Sequence, residues 1–434
     1  MYTDTRPGIE SNARVKGISM SGKYTLLGCF ALALSGIAAA QDFSLKSGDT
    51  VVFYGDSITD QRLYTTFAET YVLTRFPALR VNFVHSGWGG DRVSGGGGGP
   101  IDVRLRRDVI AYRPTVMTIM LGMNDGRYRA FDNAIFHDYS SGYEKIIRDM
   151  KAALPDVRIT AIEPSPFDDA TRVPTFAGGY NAVLVRYSQF VKELAAHEHL
   201  AVADLNTPVV AMLEKAHAQN AALSEKIIPD RVHPGPGGHL IMAEALLKSW
   251  NAPALVSDVT IDAQSRAASR SENTEVTAID NANGLRWQER DRALPMPIDW
   301  KDDVVALAVH SSDFLTALDQ ERLRVTGLAG GNYTLKIDSE TVGAFSAAQL
   351  GEGVNLAEYA TPMSRQAADV HKLTLEHNSI HFARWRMVQV PLDGQNFALS
   401  SAETSLDSLE DQIIAAQRIV AQPKMHLYEV VKAQ

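Results

Sequence analysis

Ser57 stands where an apolar run turns polar, in "VVFYGDSITDQR", residues 51–62. A serine between a strand and a helix has two uses. It can cap the helix, being a favoured N-cap. It can also attack a carbonyl, because the unpaired N–H groups of a helix start can hold the oxyanion that forms. The second use requires a base, and "IIPDRVHPGPGGH" offers one. Asp230 and His233 are three apart in a loop stiffened by Pro234 and Pro236, so the carboxylate can bond one imidazole nitrogen and leave the other facing Ser57. The aspartate then fixes the tautomer and stabilises the imidazolium. Two more stretches can donate into such a site. In "HSGWGGDRV", glycine lets the backbone approach a ligand, and Gly90 can present its N–H. In "LGMNDG", Asn124 can donate its side-chain amide. Taken singly, each stretch also reads as a cap, a turn or a surface pair. Together, and in this order, they supply nucleophile, base, orienter and three oxyanion donors: the Ser57 and Gly90 N–H groups and the Asn124 amide.

The elements that must position these residues are visible between residues 49 and 250. Five short runs, "TVVFYGDS", "LRVNFVHSG", "TVMTIMLGMND", "VRITAIEPS" and "LAVADLN", are apolar nearly throughout, as strands covered on both faces are. Helical patterns lie between them. Tyr143, Ile146, Ile147, Met150 and Leu154 share one helix face, and "GGHLIMAEALLKSW" forms a closing helix with Leu240, Met242, Leu246 and Leu247. The alternation predicts an α/β fold, a three-layer α/β/α sandwich on a five-stranded parallel sheet. Ligands in such sheets bind at the carboxyl ends of the strands, where Ser57, Gly90 and Asn124 fall.

With "GDSIT", Gly90 of "GGDRV", "GMND" and "DRVHP" in that order, the chain resembles the SGNH (GDSL-type) hydrolase superfamily over roughly residues 49–250. The resemblance implies a serine esterase without cofactor or metal. Ser57 would attack the ester, His233 would shuttle the proton, Asp230 would orient His233, and Ser57, Gly90 and Asn124 would hold the oxyanion. A sugar deacetylase is the leading expectation; a lipase, short-chain esterase or thioesterase, or a carbohydrate-binding protein on the same fold, are the alternatives. Asp56, Trp88, Arg92, Tyr128 and Phe131 adjoin the site loops and are the candidates for substrate contact, the aromatic ones by stacking on a sugar ring. The five glycines Gly95–Gly99 are either a mobile loop over the pocket or a spacer. Arg104, Arg106 and Arg107 are expected to be surface charge. His377 and His381 in "HNSIH" lack the Glu of a zinc-protease motif, so no metal centre is expected.

By the resemblance, a small ester or acylated glycan is the expected partner. A formal charge of −9 argues against nucleic acid or anionic membrane. At 434 residues, more than one domain is expected. Lys23 precedes the apolar "YTLLGCFALALSGIAAA", and small residues before Gln41 suit a signal peptidase, so residues 1–40 read as a signal peptide cleaved after Ala40, with Met20 a plausible start. That implies export, to a periplasm or beyond, with no stable membrane insertion. The single cysteine, Cys29, has too few apolar residues ahead of it for a lipoprotein box, and its removal leaves neither disulfide nor thiol nucleophile. Residues 41–250 form the expected catalytic domain and 251–434 an α+β extension, either a glycan-binding unit or a structural addition. Within the extension, "DAQSRAASRSENTEVT" reads as polar non-core and "NGLRWQERDRALPMPIDW" as an irregular connection. "NYTLKID" and "TVGAF" suggest a small antiparallel β unit, and "SLDSLEDQIIAAQRIV" a helix.

Overall fold

The computed structural model describes residues 42–280, 284–395 and 400–433. The expected signal peptide, with Met20, Cys29 and Ala40, lies outside the described residues.

All five apolar runs are strands: β1 (Thr50–Gly55), β2 (Asn82–Gly87), β3 (Val116–Met120), β4 (Arg158–Ile162) and β5 (Ala201–Ala203). They pair in parallel in the order β2-β1-β3-β4-β5. Their continuous hydrophobicity follows from burial on both faces: Val51, Val52, Phe53, Val116, Met117 and Ile119 are all sealed from solvent. Helices α1 (Ser57–Asp60), α2 (Leu63–Arg75), α3 (Ile101–Asp108), α4 (Asn133–Ala153), α5 (Asn181–Glu198), α6 (Thr207–Gln219) and α7 (Pro236–Ser249) complete the layers. Among these helices α2 packs with α7 and α4 with α5.

This core does not stop at residue 250. Met296, Phe314 and Leu318 join it, as do Val305, Ala308 and Val309 of α8 (Asp303–His310), which packs against α7. Beyond it lie β6 (Leu255–Asp262), β7 (Ala267–Glu272), β8 (Thr274–Asp280), β9 (Leu285–Asp291), β10 (Gln320–Thr326), β11 (Asn332–Ile337), β12 (Glu340–Ser346), β13 (Val354–Asn355) and β14 (His426–Lys432). They form an antiparallel sheet, β8-β9-β14-β11-β12, and a mixed one, β13-β10-β6-β7. Val259, Ile261, Leu323 and Val325 of the second sheet share one core with Trp287, Leu335, Ile337, Tyr428 and Val430 of the first. The small unit expected from the sequence is therefore two facing sheets. The supposed connection is part of it: "DAQSRAASRSENTEVT" supplies β7 and the start of β8, and "LRWQERD" is the interior strand β9.

Two long helices then return to the first domain. α9 (Pro362–Phe382) packs on α2, and α10 (Ser400–Val420) packs on α9. Leu406, Ile413, Ala416 and Val420 of α10 are only half-buried, and its best-sealed described side chain is Gln417. Gln417 Nε2 donates to Glu69 Oε1 of α2 at 3.1 Å. Glu69 also meets His377 of α9 at 2.8 Å and His85 at 3.1 Å, and His377 reaches Glu410 of α10 at 3.0 Å. The two histidines of "HNSIH" thus belong to a buried ionic seam between helices, and the described residues hold no cluster suited to a metal.

Candidate active site

The chain reaches Ser57 through a tight crossing. A Cβ on Gly55 would sit 2.2 Å from Thr59 Oγ1 and 2.8 Å from Met120 O, so only glycine lets α1 fold back across the ends of β1 and β3. The cap of α1 is Asp56, whose Oδ1 accepts from Ile58 N at 3.1 Å. Ser57 is the first helical residue, and its hydroxyl is therefore released from capping. Asp56 is only 1% exposed. Burial pushes its carboxyl up to about 7, against the Ile58 N–H that favours the anion. The expectation that Asp56 touches substrate is corrected: it is a sealed cap.

Ser57 Oγ lies 2.7 Å from His233 Nε2, and His233 Nδ1 lies 2.6 Å from Asp230 Oδ2. The other Asp230 oxygen accepts the backbone N–H of Val232 at 2.9 Å and of His233 at 2.7 Å. Partial burial would raise the Asp230 carboxyl, but the N–H and ring donors of His233 and the Val232 N–H outweigh it and hold the group below its ordinary range. The loop is pinned at two places. Arg231 adopts φ +72°, rare for a residue with a side chain, and its guanidinium donates twice to Val173 O at 3.0 Å. Behind His233, Gln61 Nε2 donates to Pro234 O at 3.2 Å. Gln61 Oε1 lies 3.1 Å from Nε2 of buried His239, whose Nδ1 accepts Tyr64 N at 3.2 Å. Accepting at Nδ1 fixes the proton of His239 on Nε2, where it can donate to Gln61.

Asn124 is tied to the two residues that follow Gly90. Asn124 Nδ2 donates to Asp91 O at 3.1 Å, and Arg92 Nε donates to Asn124 O at 3.2 Å. The Tyr128 hydroxyl donates to Asn124 Oδ1 at 2.9 Å, which fixes the direction of the amide and leaves its second N–H unused by these bonds. Gly90 has φ +78° and open space where a Cβ would be. The loop carrying it is bound to β1 by Trp88 N donating to Gly55 O at 3.0 Å. A cavity of about 380 Å³ is lined by Arg92, Asp125, Arg127, His137 and Tyr139 among others, and Ser57, Gly90, Asn124, Asp230 and His233 are not part of its wall. A larger one, about 550 Å³, lies in the extension between α8 and β10, among residues of which none belongs to this group.

The remaining candidates divide. Arg92 is exposed beside the cavity, and Tyr128 is 44% exposed. Phe131 packs against Phe136 at 5.4 Å, and Arg186 covers its ring at 4.4 Å, so it is not a free sugar platform. Trp88 is likewise covered, by the Arg386 guanidinium 3.0 Å from its ring centre. The glycines Gly95–Gly99 form neither of the expected loops. Gly95–Gly96 pairs with Gly99–Pro100 in a small hairpin, and a Cβ on Gly98 would meet Trp88 at 2.6 Å and Arg104 at 2.7 Å. Arg104 and Arg107 are not surface charge. Arg104 is fully buried between Asp91 (2.8 Å) and Asp108, and Arg107 bonds Asp108 at 2.6 Å. Their acidic partner is adjacent in "RLRRD", but Asp91 is distant in sequence and gives no local signal.

A model of the GDSL-like lipase/acylhydrolase family matches residues 53–241. An acetylxylan esterase of Geobacillus stearothermophilus is 26% identical over 224 residues, 47% of this chain and 94% of that relative. A solved structure, a gut microbial diltiazem-metabolizing enzyme, superposes with a TM-score of 0.77 at 24% identity. It covers 90% of this chain and 98% of its own, so the shared fold takes in the extension as well as the parallel-sheet domain.

Proposed function

We propose, from the premise that residues 53–241 belong to the GDSL-like lipase/acylhydrolase family, that this chain is a serine esterase that removes acetyl groups from a carbohydrate. The observation that carries the reading is the relay of 2.7 Å from Ser57 to His233 and 2.6 Å from His233 to Asp230. Ser57 Oγ attacks the ester carbonyl as its proton passes to His233 Nε2. The tetrahedral oxyanion is held by the N–H groups of Ser57 and Gly90 and the free Asn124 amide proton. Collapse expels the alkoxide, which takes the proton from His233. Water then repeats the sequence on the acyl-enzyme, releasing acetate and restoring Ser57. Asp230, held as the anion, stabilises the imidazolium in both halves.

The acetylxylan esterase relative supports an acetylated glycan, and exposed Arg92, bonded to Asn124 O, suits a polar sugar better than an acyl chain. Export through the signal peptide over residues 1–40 belongs to the same proposal, since such polymers lie outside the cell. The test is hydrolysis of p-nitrophenyl acetate, butyrate and octanoate, and acetate release from acetylated xylan, by the mature protein beside Ser57→Ala and His233→Ala. Acetate preference is expected, with kcat lower by at least about 10³-fold in each variant. Variants as active as the wild type would remove Ser57 and His233 from the reaction. Preference for octanoate would move the substrate to lipid.

A further inference from the structure

The groups that hold the Gly90 loop and Asn124 are themselves contacted by side chains from the far end of the chain. The residues flanking Gly90 are each fixed by a charged partner. On one side, Gly89 N donates to Asp60 Oδ2 at 3.1 Å, and Arg386 Nη2 lies 3.8 Å from that same oxygen. The Arg386 guanidinium also covers Trp88, next in the chain. On the other side, the Asp91 carboxylate is fully buried and accepts Arg104 Nε at 2.8 Å, while the Asp91 carbonyl receives the Asn124 amide. Arg104 in turn donates to Ser86 O at 2.7 Å and to Asp108, and Asp108 accepts Trp385 Nε1 at 2.7 Å. Trp385 is 1% exposed and stands edge-on to Trp88, 5.8 Å between ring centres.

Trp385 and Arg386 lie on Ala383–Gln389, where α9 continues as a π-helix. Such widened turns are uncommon and concentrate at functional sites. Here the widened turn brings two neighbouring side chains against Trp88, Arg386 over its ring and Trp385 edge-on to it. We infer that Trp385 and Arg386 are positioning residues for the oxyanion site, the one through Asp108, Arg104 and Asp91, the other through Trp88 and Asp60. The inference rests on the serine-esterase reading above. A guanidinium stacked on a ring and paired with a carboxylate holds both in a fixed plane, which a lysine cannot reproduce. A buried Asp108 deprived of the indole N–H pulls harder on the arginines that remain, and Arg104 is the one shared with Asp91.

A donor displaced by a fraction of an ångström is felt where charge develops, in the transition state and not in the bound ester. Trp385→Phe, which keeps the ring and loses only the N–H, and Arg386→Ala are therefore expected to lower kcat on p-nitrophenyl acetate by about 10- to 100-fold, with KM within about two-fold. Phenylboronic acid forms a tetrahedral adduct on the serine and should bind more weakly in each variant by a matching factor. Arg386→Lys should fall between Arg386→Ala and wild type. Met387→Ala, a substitution on the same segment at a side chain 65% exposed, should match wild type. Unchanged kcat in folded Trp385→Phe and Arg386→Ala would overturn the inference. So would a loss that raises KM, lowers the melting midpoint and leaves boronate binding intact, since that is a structural role. Should Arg386→Ala not fold, Trp385→Phe and Arg386→Lys decide by the same readouts. If Ser57→Ala hydrolyses the ester as fast as wild type, the esterase mechanism itself fails and the positioning role with it; if Ser57→Ala is inactive and the positioning variants are unaffected, only the latter fails.

Discussion

Tyr128 acts on the amide beside it. Its hydroxyl holds Asn124 Oδ1, so the amide nitrogen is turned toward Asp91 O and the oxyanion position. Without that bond the amide can rotate, and the lost interaction of about 1 kcal/mol corresponds to roughly a five-fold loss in rate. Tyr128→Phe is therefore expected to lower kcat on p-nitrophenyl acetate about five-fold with KM little changed, measured by initial rates across substrate concentration. A larger rise in KM than fall in kcat would instead make the tyrosine a substrate contact, as its position in the sequence first suggested. At this scale the relay was readable because Ser57, Asp230 and His233 each sit in a short stretch whose turn residues announce a strand end or a stiff loop. Asp56 was not, because a buried cap and an exposed ligand are written with the same letter. Arg104 escaped for a related reason: the three arginines in "RLRRD" look equally solvated until Asp91 and Trp385, remote in sequence, are brought against Arg104.

The glycine hairpin shows how an element is constrained by what lies on it. Gly98 sits against Trp88 and Arg104, both clamped, Trp88 by Arg386 and Arg104 by Asp91 and Asp108. A methyl group there has nowhere to go. Gly98→Ala should cost about 1–3 kcal/mol and lower the melting midpoint by about 1–4 °C, whereas Gly97→Ala, whose nearest neighbour would be 3.2 Å away, should cost less. Equal midpoints in differential scanning calorimetry would show that Trp88 can shift. The central strands were readable from sequence because double-faced burial leaves an unbroken apolar run. The strands of the extension were not. β7 is almost wholly exposed, so it carries no hydrophobic period. β9 has the right period of two, but its inward positions are Leu285, Trp287, Glu289 and Asp291, and two acids in a buried row disguise the strand.

Those acids contribute to how the molecule responds to pH. Glu289, Asp291, Asp319 and Glu321 are all buried in the extension, and neither carboxylate oxygen of Glu321 has a hydrogen-bond partner. Burial raises all four, Asp319 to about 6 even with Arg75 beside it. An acid whose folded pKa is raised binds its proton more tightly in the native state, so stability falls as pH climbs from about 4, the unfolded value, through the folded one. His377 adds to the decline at higher pH. Burial alone would lower it, but Glu69 and Glu410 raise it to about 10, and the stability this brings is complete below about 6.5 and lost toward 10. Glu69 works in the opposite direction: burial would raise it, yet His377 and His85 hold it to about 2, so its contribution is lost only as pH falls from about 4.3 toward that value. The melting midpoint should peak near pH 5 and drop by pH 8, and Glu321→Gln should raise it at pH 8 by about 3 °C or more while flattening the slope. A midpoint that rises steadily from pH 5 to 8 would contradict this. One further consequence concerns time. Strand β14 lies between β9 and β11, so the middle of that sheet is made by the segment that leaves the ribosome after every other strand of the extension. The two halves of the sheet must wait, with open edges facing each other, until the last strand arrives. Assembly of that sheet therefore waits on long-range pairing, and its unpaired interval is when the chain is most exposed to aggregation.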